Sequence, residues 1–84
     1  MNSKAINEAI RHATGIQRDD FDSDLNEMHR AESTIVDKPM NGIQTGQYYS
    51  WLTQVVGEGK GYPFRATARQ RSEAFLRTKG LWKE

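Results

Sequence analysis

The amino-acid sequence predicts a mainly α fold: a compact bundle of about four short helices, with one or two short strands as an α+β variation. Three observations carry that reading. Apolar residues recur at helical spacing in several separate stretches, capping and breaking residues bound those stretches, and the connections between them are short. With 84 residues, 36% of them hydrophobic, the chain has material for one core, so residues 1–84 are read as a single domain.

The first helix covers residues 4–14. Ala5, Ile6, Ala9, Ile10 and Ala13 fall in one stripe, and Lys4, Glu8 and Arg11 point away from it. Ser3 is a suitable N-cap, and Gly15 suits a left-handed end with Ile16 folding back as in a Schellman motif. Next comes a polar connection, rich in Asp and Ser side chains that can cap free backbone N–H groups. The second helix starts near Ser23, aligns Leu25, Met28 and Glu32, and runs to about Ile35 or Val36. Pro39 and the Asn41-Gly42 pair then break it, and residues 35–44 are one place for a short strand.

Thr45 offers a cap to a third helix ending near Val56. Tyr48, Trp51, Leu52 and Val55 form its stripe, with Tyr49 and Val56 on the flank, and as the most apolar element it is read as the centre of the core. Residues 57–61 are loop by composition, and 61–66 is the second place for a strand. The fourth helix has the best local signals: Thr67-Ala68-Arg69-Gln70 matches a capping box, and Gly80-Leu81 suits a Schellman end. Ala68, Ser72, Phe75 and Leu76 make its buried side, and Glu73 to Arg77 is a favourable exposed pair.

Several function classes are excluded by composition. Without cysteine there is no disulfide, thiolate zinc site or cysteine nucleophile. No uncharged apolar run approaches the roughly 20 residues that span a bilayer, and the N-terminus lacks the apolar stretch of a signal segment, so the expected location is the host-cell cytoplasm. The net charge of +1 hides an asymmetry: residues 1–42 hold five Lys/Arg against eight Asp/Glu, and residues 43–84 hold seven against three. Such a dipole steers charged partners but lacks the dense patch of a dedicated nucleic-acid binder.

Chemistry-bearing motifs are few. Asp20, Asp22 and Asp24 imitate the first ligands of a calcium loop, yet Leu25 stands where glycine is needed and Ala31 where the bidentate glutamate belongs, which leaves helix capping as the better account. His29 and Glu32, one turn apart, are half of a metal site or acid/base pair in one reading and a partly buried polar pair in the other, with Glu32 answering an arginine of the last helix. The second reading is preferred, because matching ligands from other helices are lacking and the only other histidine is His12. No Gly-x-Ser-x-Gly elbow or phosphate-binding glycine loop is present, so no catalytic residue, metal or cofactor is assigned and the chain is expected not to be an enzyme.

Residues 24–32, Asp-Leu-Asn-Glu-Met-His-Arg-Ala-Glu, and 66–82, with Ala66-Thr67, Gln70-Arg71, Glu73-Ala74-Phe75-Leu76-Arg77-Thr78, Gly80 and Trp82, resemble small accessory proteins of tailed bacteriophages and prophages of enteric bacteria. That group is related to phage α/β sandwich-domain proteins. The resemblance covers about a third of the chain and implies provenance; no catalytic residue carries over with it. It implies that Leu25, Met28, Phe75 and Leu76 keep the core, with His29, Glu32, Gln70, Arg71 and Glu73 as a polar seam. The expectation is a non-enzymatic accessory protein that binds and modulates a host or defence-system protein, anti-defence inhibition being one form. Tyr49, Trp51, Tyr62, Phe64 and Trp82, with Arg65, Arg69 and Arg77, are the candidate contact residues, since aromatic and Arg side chains dominate interface hot spots. The alternative is a small nucleic-acid-binding regulator using the basic C-terminal half. A homodimer through the apolar third helix is a further option, and no membrane partner is expected.

Overall fold

A computed structural model describes residues 1–36, 42–57 and 66–83. The helices are α1 (Ser3–Thr14), α2 (Leu25–Val36), α3 (Gly42–Val56) and α4 (Ala68–Thr78), and no strand occurs among the described residues. The chain is therefore a four-helix, mainly α bundle. In it α2 and α4 form a central pair, each packing against all the other helices, while α1 and α3 flank them without packing on each other.

Local chemistry sets the helix ends. Asn2, not Ser3, caps α1: its Oδ1 accepts from the Ala5 N–H at 2.8 Å, because the Ser3 hydroxyl is engaged by Asp22. Gly15 ends the helix at φ 75°, donating to the Arg11 carbonyl, while the Ile16 N–H goes to Thr14 Oγ1 in place of a full Schellman bond. Asp24 caps α2, accepting from the Asn26 and Glu27 N–H groups, so the helix starts two residues later than Ser23.

Helix α3 begins at Gly42, three residues before the expected cap at Thr45. Residues 35, 36 and 42–44 are thus helical, not extended; 37–41 and most of the 61–66 alternative lie outside the described residues. Ala66 is described, buried and irregular. In α4 the capping box is complete in both directions, Gln70 N–H to Thr67 Oγ1 at 3.1 Å and Thr67 N–H to Gln70 Oε1 at 2.9 Å. Its other end is a Schellman motif, with Gly80 at φ 72° and the Leu81 N–H donating to the Leu76 carbonyl at 2.8 Å.

One cluster makes the core: Ile6 and Ile10 of α1, Phe21, then Met28 and Ala31 of α2, Tyr48 and Leu52 of α3, Ala66, and Ala68, Ala74, Phe75 and Leu76 of α4. The most extensive packing is α3 against α4, and among the described side chains of α3 Tyr48 and Leu52 are fully inside while Trp51, Val55 and Val56 are half-buried. Phe21 arrives from the turn before α2, a stretch whose acidic neighbours read as polar connection. Leu25 and Ala13, by contrast, are exposed, Leu25 as the first residue of α2 and Ala13 in the last turn of α1.

Truncating a ring that is fully enclosed removes its transfer energy and leaves a cavity. Phe75→Ala is expected to lower the unfolding free energy by about 3–5 kcal/mol, and Thr67→Ala by about 1 kcal/mol through loss of the α4 cap. Urea titration followed by circular dichroism measures both.

Candidate functional site

The central helix pair carries a buried ion pair. Arg71 of α4 donates from Nη1 to Glu32 Oε2 at 2.9 Å and from Nε to the Ala66 carbonyl at 3.1 Å, and both side chains are less than a tenth exposed. Glu32 reaches this place because it comes after Met28 and Ala31 on the inward stripe of α2. His29, one turn earlier, sets Nδ1 3.2 Å from the other carboxylate oxygen, and half of its ring faces solvent.

Tyr48 of α3 completes the cluster from the third side. Its hydroxyl is buried within the field of Glu32 and Arg71, but its geometry makes a hydrogen bond with neither, and Glu32 Oε1 likewise accepts no hydrogen bond. Burial first, and then the Glu32 carboxylate, push the phenol well above its ordinary value, so it stays protonated at every physiological pH. Next to this cluster Ser72 is wholly enclosed, donating to the Ala68 carbonyl at 2.8 Å and contacting Met28 Sδ at 3.3 Å. The sequence-predicted seam of His29, Glu32 and Arg71 is therefore, with Tyr48, one cluster, in which all but His29 are closed to solvent and Glu32 meets Arg71 through one carboxylate oxygen. The Tyr48 hydroxyl is invisible to sequence reasoning because periodicity reports where a residue points, not what its tip meets.

The three aspartates before α2 are also spoken for. Arg18 grips Asp20 through two bonds, at 3.1 and 2.7 Å, and holds its carboxyl below the usual range. Asp22, its side chain nearly buried, accepts from Ser3 Oγ and from Asn7 Nδ2 at 2.9 Å, lies 3.6 Å from the Arg69 guanidinium, and donates its backbone N–H to Asn7 Oδ1. Asp24 is the α2 cap. Among the described residues no group of three or more His, Asp or Glu side chains converges as a metal site.

At the rim between α3 and α4 the geometry is different. The Arg77 guanidinium carbon lies 5.2 Å from the Trp51 ring centroid and 5.5 Å from that of Trp82, so two half-buried indoles flank one cation. Glu73 orients it, accepting from Nε at 2.8 Å. Trp51, Gln54, Val55, Glu73 and Arg77 line an open groove there. The Trp82 indole N–H is buried with no acceptor among the described residues.

The candidate contact residues thus divide. Trp51, Arg77 and Trp82 come together; Tyr49 is exposed on another side of α3, its ring 5.7 Å from that of Tyr48. Arg69 turns to Asp22 and the Met1 carbonyl, Arg71 is internal, and Tyr62, Phe64 and Arg65 lie outside the described residues. His12, on α1, lines a shallow groove with Met1, Ala9 and Leu81. Among the described residues no helix is long and apolar enough to cross a membrane. The chain matches no protein family, no curated protein and no solved structure.

Glu32→Ala leaves Arg71 buried without its countercharge and is expected to cost about 3–5 kcal/mol, most of which returns in the double variant Glu32→Leu/Arg71→Met. A double-mutant cycle in urea measures both. The Tyr48 phenol is raised in the fold above its unfolded value near 10, so the stability it contributes is complete below that pH and falls as pH rises beyond it. Tyr48→Phe should therefore flatten the alkaline decline of the urea midpoint above about pH 10.

Proposed function

We propose that this chain is a non-enzymatic binding protein, an accessory protein of bacteriophage or prophage origin, that modulates a host or defence-system protein. The observation that carries the reading is the Trp51–Arg77–Trp82 stack at the α3/α4 rim. Partly exposed Trp and Arg side chains, held in place by packing and by Glu73, lose little freedom on binding, which is what interface anchors need. The C-terminal pattern from Ala66 to Trp82 supports the phage provenance, and it contains both Arg77 and Trp82.

Nucleic-acid binding is the weaker alternative. Of the arginines it would use, Arg71 neutralises Glu32 inside the fold, while Arg69 and Arg77 each lie against an acidic side chain. Phosphate contacts would have to displace those carboxylates.

Affinity capture from enteric bacterial lysates, with the unmodified chain and with Trp82→Ala in parallel, tests the proposal. A partner retained by the first and lost by the second is the expected result; no specific partner, or one indifferent to Trp82→Ala and Arg77→Ala, counts against it. Fluorescence anisotropy on duplex DNA at two salt concentrations decides the alternative, which requires binding that weakens steeply with salt.

A further inference from the structure

We draw no further inference here: the strongest candidate, the side-chain cluster of His29, Glu32 and Tyr48 between α2, α3 and α4, leaves Glu32 Oε1 and the Tyr48 hydroxyl without a hydrogen bond, but both atoms are closed to solvent and belong to the ion-pair cluster already described.

Discussion

The register of α2 on α4, the two helices that touch every other helix, rests on one contact, the Glu32–Arg71 ion pair. Apolar burial drives α2 and α4 together but is indifferent to small slips and rotations; a carboxylate that must meet a guanidinium at 2.9 Å is not. The second Arg71 bond, to the Ala66 carbonyl, ties the entry of α4 to the same point. Met28 and Ala31 on one side and Ser72 and Phe75 on the other are then placed by that register, and α3 lays the Tyr48 ring over it.

Charge elsewhere obeys a similar economy. Asp22 joins the start of α1 to the start of α4 through Ser3, Asn7 and Arg69, and Asp20 and Asp24 fold the turn that carries Phe21 into the core. The three aspartates before α2 are therefore structural glue at helix ends. The outward surface differs by helix: mixed charge on α1 and α2, none on α3, and a single cation between two indoles at the rim of α4.

Legibility in the sequence tracks how local each signal is. Helix α4 is the most readable, because Thr67, Gln70 and Gly80 act within a turn of themselves and the Ala68, Ser72, Phe75, Leu76 stripe needs only periodicity; Arg71 and Ala74 are buried beyond that stripe, and the Glu73–Arg77 pair read as exposed is half-buried. The start of α3 is not legible, since Gly42 reads as a turn residue and Thr45 as the cap, whereas the helix begins at Gly42. Phe21 is hidden by its acidic neighbours, and Leu25 and Ala13 look buried because periodicity cannot say where a neighbouring helix stops. Residue types point to the polar seam, but its central pairing, 39 positions apart in the chain, and the arrival of the Tyr48 hydroxyl are tertiary facts. The Trp51–Arg77–Trp82 stack is of the same kind: each member is a candidate by residue type, and only the packing of α3 on α4 assembles them.

That stack has a spectroscopic corollary. Trp51 and Trp82 are the only tryptophans in the chain, and both lie on the same guanidinium. Their ultraviolet emission therefore originates from one small region, so quenching or a wavelength shift reports changes there without an added label.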